Sequence, residues 1–209
     1  MPIRDLALPV RPSKPSATKA SLAAIITAMI AGTVALEGGY VNHPSDPGGE
    51  TKNGITKRVA VAHGYTGPMR KLPAEVRDGI YYESYIVRPG YLPLVSIDAA
   101  VTTELFDTAV NMGPEKSSRF LQASLNEYCG TGLGVDGRVG PKTVAAFRSC
   151  QQAKGTVTFC RTMLDRLDAK QRGEYDRLVR ASARYRVFYR GWIAHRIGNV
   201  DRRACTVPA

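Results

Sequence analysis

The sequence predicts a mainly α-helical fold, in which a bundle of helices carries a small lobe of turns and short strands. Apolar residues recur at spacings of three and four over much of the chain, as in amphipathic helices. Glycine and proline mark the ends of these periodic segments. Residues 40–55 instead concentrate proline, glycine, asparagine and aspartate, a composition typical of turns.

The first half of the chain divides at these markers. The uncharged segment before Glu37 predicts a helix that ends at the glycine pair Gly38-Gly39. Thr56 is a candidate N-cap for a short helix closed by Gly64, and Pro73 opens the next helix. The predicted elements are a helix over 20–37, a turn-rich lobe over 40–55, a helix over 57–63 and a helix over 73–87.

The second half predicts further helices with defined apolar faces. One face carries Val101, Leu105, Phe106 and Ala109, and a later one carries Phe120, Leu121 and Leu125. The predicted elements are helices over 98–113 and 114–128, a loop over 130–143, a helix that follows it, and one long helical region over 158–197.

Composition places the chain among soluble globular proteins, with 44% hydrophobic and 22% charged residues among 209. The formal net charge is +11, which favours a polyanionic partner: nucleic acid, anionic lipid or a bacterial wall. Residues 1–19 are rich in proline and cations, and we expect a flexible arm there. Residues 200–209 form a short tail.

Residues 20–36 carry no charge, which allows two interpretations. A membrane-spanning helix needs about 20 apolar residues, so this segment is short for that role. We favour a buried helix of the domain. The alternative is a weak signal anchor that makes transient contact with a membrane.

The four cysteines, Cys129, Cys150, Cys160 and Cys205, contain no CxxC pair. They permit three disulfide connectivities or none, and we expect buried thiols. Because no paired histidines lie near them, the sequence indicates no zinc site, and it implies no metal or organic cofactor.

Glu37 is the first candidate for chemistry. It stands in the last turn of an uncharged helix, where the helix dipole favours cations instead. We expect its carboxyl group to border the apolar core, an environment that suits a general acid. A glutamate at the surface beside an ordinary glycine cap is the alternative.

Asp46 follows nine positions later, inside an Asp-Pro-Gly-Gly turn. A helix-borne acid facing a loop-borne carboxylate is the arrangement that glycoside hydrolysis requires. Thr51 is the better candidate for holding a catalytic water, since Thr56 already has a role as an N-cap.

The run LEGGYVNHPSDPGGETKNGITKR resembles the signature of glycoside hydrolase family 108, whose members are bacterial and phage muramidases. The helix-borne glutamate, the aspartate nine positions later and the nearby threonine also resemble the Glu-Asp-Thr site of phage-type lysozymes, and Glu37, Asp46 and Thr51 are the positions that match. The runs VDGRVGPKTVAAF and FYRGWIAHR resemble the peptidoglycan-binding-type region that follows in this family. The resemblance implies a lysozyme-like α+β catalytic region over 20–112, with a helical peptidoglycan-binding region over 113–199 packed on it.

The activity implied is that of an endolysin-type muramidase, which hydrolyses the β-1,4 bond between N-acetylmuramic acid and N-acetylglucosamine. Glu37 would protonate the glycosidic oxygen, and Asp46 with Thr51 would position or activate a water. Carboxyl groups about 6.5–9.5 Å apart would invert the product anomer, whereas about 5 Å would indicate a covalent intermediate. Such an enzyme, made in the bacterial or infected host cytoplasm, acts in the periplasm or wall after export by a holin or a weak signal anchor.

Four further residues are candidates for substrate binding. Tyr40, Tyr82 and Tyr85 could line a glycan groove, and packing in the core is the alternative for each. Asn111 could bond an acetamido group of the substrate, although helix capping explains it equally well.

Two other function classes compete with hydrolysis: a peptidoglycan-binding module without catalysis and a basic nucleic-acid-binding protein. The last helices carry nine arginines with aromatic residues among them, but acidic residues interrupt this face. We therefore expect a monomer that uses this charge toward an anionic wall or outer-membrane surface, and no nucleic-acid partner. The arginines are Arg161, Arg166, Arg172, Arg177, Arg180, Arg184, Arg186, Arg190 and Arg196.

Overall fold

The computed structural model describes residues 17–42 and 49–206, with side chains from residue 22 onward. These residues form a mainly α-helical fold with one small antiparallel sheet, which confirms the predicted fold class. The helices are α1 (Ala17–Leu36), α2 (Lys57–Ala62), α3 (Ala74–Tyr82), α4 (Leu92–Ile97), α5 (Ala99–Met112), α6 (Pro114–Cys129), α7 (Pro141–Lys154), α8 (Thr156–Ala181) and α9 (Arg186–Arg196), and the strands are β1 (Tyr40–Val41), β2 (Thr51–Lys52) and β3 (Ile55–Thr56).

Helix α1 buries one face and exposes the other. Met29, Ile30 and Thr33 are buried where the helix packs against α3, α4 and α5. The opposite face consists mainly of alanine, glycine and threonine, so the interpretation as a buried helix holds for half of its surface. Among the described residues, no helix combines the length and apolar character needed to cross a membrane.

The small sheet follows α1 and has the strand order β1-β2-β3. Strands β2 and β3 pair through Thr51 and Thr56, and a two-residue turn of Asn53 and Gly54 joins them. The φ angles of this turn are +47° and +72°, so both residues are left-handed, as a type I′ hairpin turn requires. The hairpin therefore points its Asn-Gly tip back toward the end of α1, since Asn53 N–H donates to Gly39 O over 3.2 Å.

Capping sets the limits of the next helices. Thr56 accepts a hydrogen bond from Val59 N–H and so caps α2, as predicted. Helix α3 continues into a π-helical turn over Glu83–Val87 before Pro89 and Gly90 end it. Gly90 has a φ of +86°, and a Cβ there would lie 2.1 Å from Val139 O, so this position admits only glycine.

Helix α5 lies at the centre of the core. Val101, Leu105 and Phe106 are completely buried, as their spacing predicts. The helix packs against α1 and α4 on one side and against α6 and α8 on the other. The two halves of the chain therefore share one continuous core instead of standing as separate bodies.

The predicted helical region over 158–197 is divided into two helices. Ser182 adopts an extended conformation with φ −155° and ψ 126°, which ends α8. A 3₁₀ turn over Ala183–Tyr185 then leads into α9, which folds back along α8. The reversal is favoured by aromatic packing, because the Trp192 ring stacks on Tyr175 with centroids 4.7 Å apart.

The expectation of buried thiols is wrong, because the four cysteines form two disulfides. Cys129 at the end of α6 is bonded to Cys150 in α7, and Cys160 in α8 is bonded to Cys205 near the C-terminus. The Cα separations are 5.9 and 5.6 Å, within the usual range for disulfides. Such bonds persist in oxidising compartments outside the cytoplasm.

Regular secondary structure extends close to both ends of the described chain. Helix α1 begins at Ala17, inside the segment predicted as a flexible arm, whose first 16 residues lie outside the described ranges. In the predicted tail, Arg202–Ala204 form a 3₁₀ turn, and the Cys160–Cys205 bond holds this turn against α8.

Candidate active site

Glu37 is the residue directly after α1, and its backbone still belongs to the last helical turn. Its N–H donates to Thr33 O and Val34 O, each over 3.2 Å. Its side chain is 19% exposed, so the carboxyl group lies at the border between core and solvent, as predicted. The apolar helix therefore brings a carboxyl group to the edge of the turn lobe.

Arg196 holds this carboxyl group in place from the end of α9. Its Nη2 donates to Glu37 Oε1 over 2.9 Å, and its Nη1 donates to Asp107 Oδ1 over 2.5 Å. The Arg196 side chain is only 9% exposed, and Asp107 in α5 is buried. One guanidinium thus joins three elements, and it fixes Oε1 of Glu37 while leaving Oε2 for other partners.

Gly54 lies against that second oxygen. A Cβ at position 54 would be 2.9 Å from Glu37 Oε2 and 3.2 Å from the Tyr81 hydroxyl oxygen. The Tyr81 hydroxyl donates to Asn53 O over 2.8 Å, which ties the hairpin tip to α3. Burial, together with the nearby charge of Glu37, raises the pKa of Tyr81, so this phenol stays a neutral donor.

Asp107 is the second acid of this group. Burial raises its pKa, although the adjacent Arg196 guanidinium acts in the opposite direction. Within the described part of the chain its Oδ2 has no hydrogen-bond partner. Asp107 is buried, and its contact with Arg196 links it to Glu37.

The other predicted catalytic residues are placed less directly. Asp46 lies outside the described residues, so its distance from Glu37 remains a prediction. Thr51 is half-buried in β2, and its hydroxyl donates to Gly49 O over 3.1 Å. Thr56 is occupied as the cap of α2, which leaves Thr51 as the better candidate, as argued from the sequence.

Tyr40 is held by its neighbours in the turn lobe. Its hydroxyl donates to Glu50 Oε1 over 2.8 Å, and the guanidinium carbon of Arg70 lies 4.0 Å from its ring centroid. Hydrogen bonds from Tyr40 and then Lys57 lower the pKa of Glu50. The half-buried ring thus belongs to a charged cluster beside the hairpin.

The tyrosines of the next helical segment differ in position. Tyr82 packs half-buried against the core. Tyr85 lies 5.6 Å from the Tyr81 ring between their centroids, and contacts the edge of Phe106. Burial and the charge of Glu37 raise the pKa of Tyr85, which places this ring within electrostatic reach of the candidate acid.

Asn111 is not a helix cap, because Gly113 ends α5. Its Oδ1 accepts a hydrogen bond of 2.7 Å from the Tyr175 hydroxyl. The buried Tyr175 ring stacks on Trp192, and the exposed Phe188 ring also stacks on Trp192. Asn111 therefore bonds to the inner end of an aromatic stack, and Trp192 of that stack lies one helical turn before Arg196.

Sequence reasoning missed Arg196, Asp107, Tyr81 and Gly54 as parts of the site. The sequence groups Arg196 with the other arginines of the last helices, but it is buried and paired. Its place in the closing FYRGWIAHR run was an available signal, as was the Asn-Gly pair that marks a hairpin turn. In the residues that the structure describes, no cluster of histidine, cysteine and acidic side chains could hold a metal ion.

Comparison with known proteins gives two family matches. Residues 30–113 match the family described as Glycosyl hydrolase 108, and residues 116–197 match a Predicted Peptidoglycan domain. Among solved structures, the chain is similar to Brucella abortus SagA, with 26% sequence identity and a TM-score of 0.59, over 90% of this chain and 95% of that one. No curated protein matches the sequence significantly.

Proposed function

Residues 30–113 belong to glycosyl hydrolase family 108, so the chain is a glycoside hydrolase that acts on peptidoglycan. We propose that it is an N-acetylmuramidase and that Glu37 is its catalytic acid. The bond cleaved would be the β-1,4 linkage between N-acetylmuramic acid and N-acetylglucosamine. The catalytic region would span 20–112, and the region over 113–199 would pack on it and supply Arg196 to the acid site.

The fixed carboxyl group of Glu37 is the observation that carries this proposal. A general acid must present one oxygen to the glycosidic oxygen in a constant orientation. The Arg196 contact occupies Oε1, and the glycine at position 54 keeps space open beside Oε2. Oε2 is therefore the oxygen that would carry and donate the proton.

The second half of the reaction would belong to the turn lobe. Asp46 and Thr51 would position and activate a water on the face of the sugar opposite Glu37. An inverting mechanism requires about 6.5–9.5 Å between the two carboxyl groups, which leaves room for that water. The anomeric configuration of the product, read by NMR in the first minutes of reaction, tests this half separately from the identity of the acid.

Arg196 and Asp107 would act as positioning residues. The buried Asp107 carboxylate orients the guanidinium, which in turn orients Glu37. Misplacing a catalytic group by about 1 Å can cost about 100-fold in rate. This pair therefore matters to the turnover rate more than to substrate affinity.

Partners of the protein surface follow from charge and compartment. Arginines of α8 and α9 other than Arg196 face solvent at least in part, and they would attract the enzyme to an anionic wall or outer-membrane surface. Glu174 and Glu127 already pair with Arg177 and Arg166, which counts against a nucleic-acid partner. The two disulfides support action in the periplasm or wall.

Digestion of isolated peptidoglycan tests the proposal. The wild-type chain should release fragments with new reducing ends on muramic acid, identified by mass spectrometry, and Glu37→Gln should release none. Glu75→Gln is the matched control, because Glu75 is an exposed glutamate in the first turn of α3. Reducing ends on N-acetylglucosamine, or cleavage in the peptide stems, would overturn the assignment of the bond.

A further inference from the structure

A large cleft lies between the two family regions, separate from the contacts of Glu37. Its volume is about 910 Å³. One wall comes from α2 and the π-helical turn after α3, with Val59, His63 and Arg88. The other comes from the start of α6 and the loop over 136–140, with Pro114 and Arg138. Both the hydrolase region and the peptidoglycan-domain region therefore form this cleft.

The loop on the second wall is held rigidly by one face of α6. Arg119 donates to Val135 O, and Asn126 bonds both backbone groups of Leu133. Gln122 accepts from Gly137 N–H over 2.9 Å and donates to Arg138 O over 2.9 Å. These residues recur at spacings of three and four, so a single helix face fixes the loop before any ligand arrives.

The charged side chains that line the cleft carry a net positive charge, which favours an anionic ligand. Arg119 already engages Glu115 over 2.9 Å, and Asp136 accepts hydrogen bonds from Gln122 over 2.7 Å and from the Arg138 N–H. Arg88 touches Glu83 only through Nε, over 3.4 Å, and its side chain is 64% exposed. The exposed side chains of Arg88 and Arg138 thus line the cleft from the two family regions, with donors for a carboxylate ligand.

The remaining lining suits short side chains and peptide groups. Val59, Ala62 and Pro114 contribute apolar surface to the lining. His63 Nε2 and Ser84 Oγ lie 3.3 Å apart and offer polar atoms beside it. A small-residue peptide with free carboxylates would match this mixture of apolar and cationic groups.

The cleft is linked to the candidate acid through two tyrosines. Tyr85 lines the cleft and packs against Tyr81, whose hydroxyl lies beside the Gly54 turn and Glu37. Tyr85 and the buried Tyr81 therefore connect the lining of the cleft to the hairpin turn beside Glu37.

We propose that this cleft binds the peptide stem of the peptidoglycan strand that is held at Glu37, with Arg88 and Arg138 pairing with carboxylates of the stem. The inference rests on the proposed function, and it identifies the peptide stem as a part of the substrate that the enzyme recognises. It assigns the 136–140 loop a role in recognition beyond forming a turn. It also gives a reason for both family regions to line one cleft, because the glycan and its stem belong to the same substrate.

Binding of an isolated stem tests this directly. The full chain with Glu37→Gln is titrated calorimetrically with the tripeptide L-alanyl-γ-D-glutamyl-meso-diaminopimelate. We expect measurable binding that weakens at least tenfold with Arg138→Gln or Arg88→Gln added. Arg161→Gln, an exposed arginine of α8 that does not line the cleft, should bind as the parent does. Equal binding by all four proteins, or no binding, would overturn the proposal.

Turnover separates this inference from the proposed function. The wild type and Arg138→Gln are compared on peptidoglycan with intact stems and on glycan strands stripped of stems by an amidase. We expect Arg138→Gln to raise KM at least tenfold more on the stem-bearing polymer than on the stripped one. Equal losses on both would overturn the stem site while leaving the muramidase intact. If the wild type cleaves neither polymer but the tripeptide still binds, the proposed activity fails instead.

Discussion

Arg196 donates a 2.9 Å hydrogen bond to Oε1 of Glu37, although 159 positions separate the two residues in the chain. The arginine lies in the stretch that matches a peptidoglycan domain, whereas the glutamate lies in the glycosyl hydrolase stretch. The same guanidinium reaches Asp107 in the central helix α5. The C-terminal region therefore completes the candidate acid site, and a truncated hydrolase region would lack the group that orients its acid.

Replacing Arg196 by lysine should reduce kcat by about 100-fold with little change in KM, because a single ammonium cannot reproduce the two fixed contacts of a guanidinium. Lysine keeps the positive charge that buried Asp107 needs, so the fold should survive. Peptidoglycan turnover and thermal unfolding of the same preparation measure both effects. Arg190→Lys is the control, since Arg190 is exposed on the same helix. An unchanged kcat would show that Glu37 needs no support from α9.

Gly54→Ala should lower both activity and stability. The added methyl group would lie 2.9 Å from Glu37 Oε2, and a φ of +72° costs a non-glycine residue about 1–2 kcal/mol. Gly32→Ala is the matched control, because nothing lies within 4 Å of a Cβ there and alanine favours the helix. Turnover and urea unfolding decide the matter: equal activity of the two variants would mean that position 54 does not crowd the acid.

The helices could be predicted because each depends on the local spacing of its apolar residues. Val101, Leu105 and Phe106 share a helix face by spacing alone, and that face is buried. The break at Ser182 could not be predicted, since serine is tolerated in helices and no proline or glycine marks the site. The stacking of Trp192 on Tyr175 is a tertiary contact that favours the reversal.

The candidate site was predictable only where its parts are close in sequence. Glu37 and the turn lobe adjoin, so their spacing and their resemblance to a known signature were informative. Asp107 and Arg196 come from helices 89 positions apart, and no local pattern pairs them. Likewise, four cysteines permit three pairings, and only the packing of α6 on α7 and of the C-terminus on α8 selects one.

Removing the Cys160–Cys205 disulfide should cost more than removing Cys129–Cys150. The bonds close 45 and 21 residues respectively, which corresponds to about 4 and about 3 kcal/mol of chain entropy. Cys205 also holds the segment that follows Arg196, so the Cys160→Ser/Cys205→Ser pair should lose turnover as well as stability.

Urea unfolding and peptidoglycan turnover at 37 °C compare the two paired-serine variants, each control for the other. If both lose stability alike and keep full turnover, the C-terminal segment does not maintain the Arg196 contact.

We expect Glu104 to make the stability of the protein depend on pH. It is completely buried in α5, where Thr108 Oγ1 donates to Oε1 over 3.3 Å. In the part of the chain that the structure describes, Oε2 has no hydrogen-bond partner. Burial, followed by the negative charges of Asp168 and Asp107, raises its pKa well above the usual range. The folded protein therefore holds a proton on Glu104 that the unfolded chain releases at a lower pH.

Glu104→Gln should consequently stabilise the protein in alkaline solution and leave it almost unchanged in acid. A carboxyl with a raised pKa contributes stability that is complete below its unfolded value and is lost as pH rises through its folded value. Glutamine has the same shape and never ionises, so the variant should gain on the order of 1–3 kcal/mol in unfolding free energy at pH 9 relative to pH 5. Urea unfolding at both pH values measures this, with exposed Glu75→Gln as the control. If the unfolding free energies of Glu104→Gln and the wild type change with pH in the same way, the prediction fails. Glu104 would then ionise in the folded core as readily as in the unfolded chain, despite the nearby Asp168 and Asp107.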